Sequence, residues 1–256
     1  MSDDVRERFG ARAQRYVESS THASGEDLDT LVEWADPKPG EVTVDVATGG
    51  GHVALALARR EARVIALDLT PEMLKVARKH LESEHAVAEY VVGHAGAMPF
   101  DDASVDLVTC RIAAHHFRDA GAFFCEAARI LVPGGRLAFQ DQALPDATTS
   151  ACILDEFERV RDPSHRRSYS VDGWVGLIER AGLVVERREL FEKRHEFAEW
   201  CERQSCSDLA VAELEEIAST APPQAREWMA AEWSDERPPG LLAFSNRHLV
   251  LLARKP

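Results

Sequence analysis

Residues 42–68, VTVDVATGGGHVALALARREARVIALD, decide the fold of this chain. A short β-branched run at 42–46 leads through three consecutive glycines into a segment rich in alanine and leucine, and a second such run follows at 63–68. Two strands joined by a helix-length segment pair in parallel, because a parallel crossover cannot be made by a tight turn. The stretch therefore predicts the first βαβ unit of an α/β sheet.

The same alternation of strands and helices continues to residue 140 and then gives way to longer helices. Before the first strand, helices are predicted at 5–19 and 26–34. Within the alternating part, further strands are predicted at 87–92, 105–109 and 136–140, and helices at 52–60, 71–80 and 120–131. Later helices are predicted at 153–161, 171–181, 209–219 and 222–233, with strands at 183–190 and 241–252. This order indicates a doubly wound, mostly parallel α/β sheet with a helical cover.

The composition describes an ordinary acidic protein. The chain has 256 residues, of which 45% are hydrophobic and 29% charged, and 30 basic against 44 acidic side chains give a net charge of −14. A field of this sign repels phosphate backbones and anionic lipids, and no apolar stretch approaches the roughly 18 residues of a membrane helix. The charged first residues also lack the apolar core of a secretory signal. We therefore expect a small-molecule partner, no nucleic acid, no integral membrane association and a cytoplasmic location; the oligomeric state stays open.

The three glycines at 49–51 open a helix whose first amides face the turn, which is typical of a nucleotide site. Asp68 ends the second strand 19 residues after Gly49, where a carboxylate can accept hydrogen bonds from both ribose hydroxyls. The plainer alternative is that the glycines only make a tight turn and that Asp68 only caps the turn at Thr70 and Pro71. Because the pattern also suits a dinucleotide, the glycines alone do not separate a nicotinamide cofactor from S-adenosylmethionine.

Asp45 favours S-adenosylmethionine over a nicotinamide cofactor. It lies two residues before the turn, where a carboxylate can meet an ammonium group more favourably than a phosphate. The net charge of −14 suits a cationic sulfonium in the same way.

Four motifs carry a resemblance to a known family. They are VDVATGGGHVALALA (44–58), VIALDLTPEML (64–74), VVGHAGAMPFDDASVDLVTCRIAAHHF (91–117) and EAARILVPGGRLAF (126–139). In this order they resemble the class I S-adenosylmethionine-dependent methyltransferases, in the branch related to the ubiquinone and menaquinone C-methyltransferases. The resemblance covers about residues 40–142.

The resemblance implies a single methyltransferase domain over residues 1–256. Its parts would be an N-terminal helical lid at 1–40, a Rossmann-like cofactor-binding core at 41–142, and an acceptor-side helical cover with closing strands at 143–256. The sheet would have seven strands, with an antiparallel C-terminal strand. The cofactor would be S-adenosylmethionine and the product S-adenosylhomocysteine, with the methyl group passing by in-line displacement to a small-molecule acceptor.

The family's cofactor contacts carry over residue by residue. They fall on the first loop at Asp45, Ala47, Thr48, Gly49 and Gly51, on Asp68, Leu69 and Met73, and on His94 and Ala95. Tyr16 either belongs to a packing face or is a lid residue whose hydroxyl reaches the cofactor. Two positions depart from the family pattern. Ala47 replaces a glycine, which is tolerated unless its φ is positive. His94 replaces an aspartate, so that a ring nitrogen, the stacked ring or the backbone of Ala95 would recognise adenine.

The run after the fourth strand suggests further roles. Arg111 either forms a surface ion pair or faces the cofactor carboxylate. Of the paired histidines, one would cap or pack while His116 lines the acceptor pocket and acts as the general base if one is needed, with His165 as a second choice. Adjacent histidines without a third ligand at metal-like spacing predict no metal site. The basic segment at 159–167 is either a solvated surface or a selector for an anionic acceptor, and an aromatic acceptor is also expected.

Two other functions remain open. An NAD(P)-dependent oxidoreductase would use the same glycine pattern, but it does not explain Asp45, the long helical segment before the first strand, or the Pro-Gly-Gly at 133–135. A protein that binds S-adenosylmethionine without turning it over would share the cofactor site and lack the acceptor site.

Overall fold

The structure, a computed structural model, describes residues 25–236 and 239–256. The predicted helix at 5–19 and the proposed lid residue Tyr16 lie outside these residues. The chain divides into two compact units. The first runs up to Asp141 and adds Val175–Glu189 and Val250–Pro256, and the second contains Gln142–Trp174 and Leu190–Leu249. The partition into lid, core and cover stays a prediction.

The elements up to residue 144 follow the predicted alternation. In chain order they are α1 (Glu26–Ala35), β1 (Val42–Val46), α2 (His52–Ala58), β2 (Arg63–Asp68), α3 (Pro71–Ser83), β3 (Glu89–Val92), β4 (Val105–Arg111), a 3₁₀ turn (Ala114–His116), α4 (Ala120–Ile130) and β5 (Leu131–Leu144). The later elements are α5 (Thr148–Arg161), β6 (Tyr169–Ser170), α6 (Val171–Arg180), β7 (Val184–Glu196), α7 (Phe197–Arg203), α8 (Asp208–Thr220), α9 (Pro223–Met229), β8 (Glu232–Trp233) and β9 (Leu241–Arg254).

Strands of the described residues pair in the order β3-β2-β1-β4-β5-β9-β7, and the two-residue strands β6 and β8 pair with β5 and β9. Strand β1 pairs in parallel with both β2 and β4, with Val46 opposite Leu67 on one side and Cys110 on the other. Strand β8 is antiparallel to β9. The doubly wound, mixed sheet with seven strands on its main path and antiparallel pairing at its C-terminal end is therefore confirmed.

Local sequence explains the central strands. Strands β1 and β2 are buried almost throughout, as expected for parallel strands that are covered on both faces. Pro71 begins α3, where its fixed φ and missing N–H suit a first helical residue. Because parallel strands end at one edge of the sheet, β1, β2 and β4 bring their last residues close together.

The fifth strand differs from its predicted bounds of 136–140. It starts at Leu131 and continues through the Pro-Gly-Gly run to Leu144. Its first residue, Leu131, pairs with Val105 of β4, and the glycines that follow are bonded to Lys255, because Gly134 N donates to Lys255 O and Lys255 N donates to Gly135 O at 2.8 and 2.9 Å. Such a partner, more than a hundred residues away, leaves no local signal in the sequence.

The second unit has an aromatic core of its own. Phe157 on α5 stacks on Trp200 of α7, with ring centroids 5.2 Å apart, and Phe244 of β9 meets Trp200 edge-on at 4.7 Å. The helix predicted at 222–233 ends at Met229 because Ala230 adopts a left-handed conformation, with φ 45°, before the short strand β8. In the part of the chain that is described, no helix is both long and apolar enough to cross a membrane.

Candidate functional site

The candidate site of the first unit begins near the end of β1, at Asp45. Its side chain is buried, and its two carboxylate oxygens accept hydrogen bonds from the hydroxyls of Thr48 and Thr109, both at 2.7 Å. Burial raises the pKa of Asp45 from 3.8 to about 6, against the lowering effect of these hydroxyls, and the nearby Asp68 raises it further. Asp45 is therefore a buried carboxyl that a cationic group would stabilise in its charged form.

This raised pKa predicts a pH dependence of stability. Between about pH 4 and pH 6 the folded protein holds a proton that the unfolded chain has released, so the stability from protonated Asp45 is complete below pH 4 and is lost as the pH rises through about 6. Asp45→Asn lacks this titration, so its free energy of unfolding should rise relative to that of the wild type by on the order of 2–3 kcal/mol between pH 4 and pH 7. Urea unfolding of both proteins at several pH values measures the difference. The exposed Asp101→Asn is the control. A constant difference between Asp45→Asn and wild type would contradict the prediction.

Asp68 at the end of β2 holds the glycine turn. Its carboxylate accepts from the backbone amide of Gly49 at 3.1 Å and from that of Thr70 at 2.9 Å, and burial raises its pKa. Each carboxylate oxygen has a further lone pair, so these bonds leave acceptor capacity for ribose hydroxyls. Thr70 occupies the cap position of α3, although its side chain makes no capping hydrogen bond. Asp68 therefore holds the glycine turn in place and keeps lone pairs on its carboxylate oxygens for ribose hydroxyls.

The glycines of the turn have two different uses. A Cβ on Gly49 would meet only the Met73 methyl at 3.7 Å and a backbone oxygen at 3.9 Å, which leaves room for close approach of a ligand. A Cβ on Gly51 would lie 2.7 Å from Leu81 Cδ1 and 3.2 Å from Ala77 Cβ. Gly51 therefore makes room for α3, and its contact with the cofactor stays a prediction.

This packing role predicts an unequal cost for two alanine substitutions. Gly51 and Gly40 have nearly equal φ values of 82° and 80°, but nothing lies within 4 Å of a Cβ on Gly40. Both Gly→Ala changes impose left-handed strain, and Gly51→Ala adds overpacking against α3, so we expect it to cost about 1–3 kcal/mol more in unfolding free energy. Urea unfolding of both variants measures the difference. Equal costs would show that α3 does not crowd Gly51.

Backbone strain lies beside this turn. Ala47 has φ 54°, so the condition under which its methyl was expected to be tolerated is not met. Ile112, just after β4, has φ 51°, which is rare for a β-branched residue. Both follow the carboxyl ends of neighbouring strands, and strained residues of this kind cluster at ligand sites.

The adenosine side of the predicted site includes Met73, Leu69, Ala95 and His94. Met73 and Ala95 are buried, and Leu69 is half-buried. The exposed His94 accepts a hydrogen bond at Nδ1 from Gly96 N at 2.9 Å, which is the turn bond that an aspartate makes. A neutral ring then carries its proton on Nε2, so that stacking or the backbone of Ala95 remains for adenine recognition. These contacts stay predictions.

Arg111 lies in a buried ion pair, which neither sequence alternative described. Its Nη2 is 3.1 Å from Asp27 Oδ2 of α1, its Nε donates to Gln140 Oε1 at 2.7 Å, and Gln140 Nε2 donates to Asp27. The side chains of Arg111 and Asp27 are only 4% and 2% exposed. Burial lowers the pKa of Arg111, and Asp27 opposes this effect. Sequence reasoning missed Asp27 and Gln140, whose only signal is that polar groups stand at otherwise apolar positions.

The two histidines after β4 have different environments. His115 is buried, its Nδ1 lies 2.6 Å from Asp141 Oδ1, and its backbone amide donates to Asp141 Oδ2 at 3.1 Å. The half-buried His116 packs its ring on that of His115, with centroids 4.1 Å apart. The packing role expected for one histidine therefore belongs to His115, and Asp141 is a site residue that the sequence analysis missed.

The glycine turn has one more support that was not predicted. His80 of α3 places Nδ1 2.7 Å from the carbonyl oxygen of Gly50, and since a carbonyl only accepts, the imidazole N–H donates. This bond joins the glycine turn to α3, the helix that packs against Gly51.

Among the described residues, no group of three His, Cys, Asp or Glu is placed to hold a metal ion.

The basic segment 159–167 in the second unit is largely paired. Arg159 forms ion pairs with Asp155 and Glu156, and His165 Nε2 lies 2.7 Å from Asp155 Oδ1. Arg161 stacks on Trp200, 4.3 Å from its ring centroid. The segment therefore offers less positive charge to a ligand than its composition suggests.

Comparisons with known proteins agree with this geometry. A methyltransferase-domain family matches residues 44–139. The chain is 32% identical to the uncharacterized methyltransferase YcgJ of Bacillus subtilis over 200 residues, 76% of this chain and 78% of that protein. It is 36% identical over 168 residues to the ubiquinone/menaquinone biosynthesis C-methyltransferase UbiE of Dinoroseobacter shibae, covering 64% and 61% of the two chains.

Among solved structures, the fold is similar to that of a protein from Bacillus halodurans C-125 that is described as a candidate methyltransferase. The two share 37% identity and superpose with a TM-score of 0.85 over 91% of this chain and 100% of the other.

Proposed function

The chain belongs to the class I S-adenosylmethionine-dependent methyltransferases, and we propose that it catalyses methyl transfer to a small-molecule acceptor by in-line displacement. The observation that carries this is the juxtaposition of two buried carboxyl groups, Asp45 and Asp68, around an open glycine turn. Asp45 would face the ammonium of the cofactor and Asp68 its ribose.

The bound cofactor supplies a methyl group on a sulfonium, which is already a good leaving group. The protein's task is then mainly to align donor and acceptor, which can account for most of the acceleration. We propose that His116 faces the acceptor and removes a proton from it if the acceptor must be deprotonated. Asp141 would hold the His115 ring, which packs on the ring of His116 and keeps it in place. Tyr16 would close the cofactor site from the proposed lid. A cytoplasmic location stays a prediction.

Calorimetry tests this function. S-adenosylmethionine and S-adenosylhomocysteine should bind, whereas NAD and NADP should give no heat at the same concentrations. Binding of NAD alone would support the oxidoreductase alternative and overturn the proposal. Turnover assays with quinols, phenols and small amines would then separate an enzyme from a protein that only binds the cofactor.

A further inference from the structure

Two of the five cysteines lie at the end of helix α7 in the second unit. Cys201 is in the last turn of the helix, and Cys206 follows it after a left-handed residue, Ser205, with φ 52°. Cys206 N donates to Cys201 O at 3.1 Å, and Ser205 N donates to Glu202 O at 2.8 Å. These two bonds define a Schellman motif, in which the side chains at the positions of the two cysteines commonly contact each other. The helix end therefore brings the two thiols together.

The two thiols differ in how well a reagent can reach them. Cys201 is 5% exposed and belongs to the aromatic core of the second unit. Cys206 is half-buried at the edge of the same core, and its Sγ lies 3.9 Å from the carbonyl oxygen of Arg161. A reagent in solution therefore reaches Cys206 first, whereas Cys201 is covered by its neighbours.

The charged groups around the pair assign the two thiols different roles. Burial, together with the neighbouring Cys206 sulfur, raises the pKa of Cys201 to about 12. Glu215 acts in the same direction, and Arg161 opposes it. Arg203 interacts with both Arg161 and Cys201, and cations near a thiol favour its thiolate. Cys201 therefore keeps its proton near neutral pH, and attack on a reagent begins from the more accessible Cys206.

We propose that Cys201 and Cys206 form a redox-active thiol pair that reacts with low-molecular-weight disulfides and closes to an intramolecular disulfide. Cys206 Sγ attacks one sulfur of the reagent, which breaks the reagent's S–S bond, forms a mixed disulfide and releases one thiolate. Cys201 Sγ then gives its proton to solvent and attacks Cys206 Sγ, which releases the second thiolate. The two protein thiols are oxidised, the reagent is reduced to two thiols, and these take up the two protons.

The second step is favoured because both sulfurs are held at one helix end. Its reactants belong to the same chain and are already neighbours, so that little freedom is lost when the bond forms. The sulfurs need to approach to about 2.05 Å, which rotation of the two short side chains can provide. This reactivity is independent of the proposed methyl transfer, because both cysteines belong to the second unit and the cofactor residues belong to the first.

Peptide mapping after mild oxidation tests the thiol pair on the full-length protein. The folded chain would be incubated with oxidised glutathione at pH 8, blocked with iodoacetamide and digested with trypsin. Because trypsin cleaves after Arg203, Cys201 falls in peptide 195–203 and Cys206 in peptide 204–226. We expect these two peptides to be joined by a disulfide, with a mass about 2 Da below the sum of the two.

Cys152, an exposed cysteine of α5 in the same unit, shows whether the oxidant has reacted. It should stop at the mixed disulfide with glutathione. Two results would overturn the proposal. One is glutathione on Cys206 with Cys201 blocked by iodoacetamide, and the other is an unmodified Cys206 at a glutathione concentration that modifies Cys152.

Three variants separate the two steps. In Cys201→Ser the mixed disulfide on Cys206 should persist at least about tenfold longer than in the wild type, because the thiol that displaces glutathione is missing. Cys206→Ser should leave Cys201 unmodified, and the matched control Cys152→Ser should form the same linked peptides as the wild type. Equally fast loss of glutathione from Cys206 in Cys201→Ser and in the wild type would show that Cys201 takes no part. The wild-type map keeps the test valid if a serine at the buried position 201 impairs folding.

Discussion

Asp68→Ala is expected to lower the affinity for S-adenosylmethionine by at least about 100-fold. Two ribose hydroxyls donating to one carboxylate contribute roughly 1.5–3 kcal/mol each, and each 1.4 kcal/mol corresponds to a factor of ten in affinity. The substitution also removes the acceptor for Gly49 N and Thr70 N, so that the glycine turn loses the group that holds both of its sides. Calorimetric titration with S-adenosylhomocysteine measures the loss without interference from turnover.

Two further variants separate binding from folding. Asp68→Asn has nearly the same shape and keeps one acceptor oxygen for the turn, and we expect it to stay folded with an intermediate loss of affinity. Asp101→Ala removes an exposed carboxylate from the same unit and should bind like the wild type. If Asp68→Ala folds and binds with unchanged affinity, the ribose lies elsewhere and the assignment of the second strand to the cofactor fails.

Arg111→Met is expected to reduce the free energy of unfolding by about 3–5 kcal/mol. The change leaves the carboxylate of Asp27 buried without its cation, and breaking one side of a buried pair costs far more than the pair contributes. The Nε donor to Gln140 is lost at the same time. Urea unfolding at neutral pH gives the value directly.

The matched control is Arg59→Met, which removes the cation of an exposed pair. Arg59 and Glu84 are 60% and 44% exposed, and pairs of this kind contribute at most about 1 kcal/mol. The double variant Asp27→Asn with Arg111→Met should recover part of the loss, because no uncompensated charge remains. A cost for Arg111→Met as small as that for Arg59→Met would show that Asp27 is solvated.

Much of the fold was predictable because its signals are local. The alternation of buried runs, the glycine turn and Pro71 correctly placed β1, α2, β2 and the start of α3. Elements that depend on distant partners were predicted less well. The early part of β5 pairs with Val105 and bonds to Lys255, and the short strand β8 forms by pairing with β9 where a longer helix was predicted.

The candidate site was predictable to the same extent. The position of Asp68 follows from its distance to the glycines, and the structure places its carboxylate on the amide of Gly49. Asp27, Gln140 and Asp141 were missed because their partners are 84, 29 and 26 residues away in the sequence. The choice of His115 rather than His116 as the packed histidine also depends on Asp141.

The sequence by itself determined the class of sheet, the cofactor turn and the family, since periodicity, glycine placement and short motifs act over a few residues. The tertiary structure alone decided which charges are paired. It buried Arg111 against Asp27, paired Arg159 and His165 of the basic segment with Asp155, and stacked Arg161 on Trp200. Burial and pairing set the energy of a charge, and both depend on residues that only the folded chain brings together.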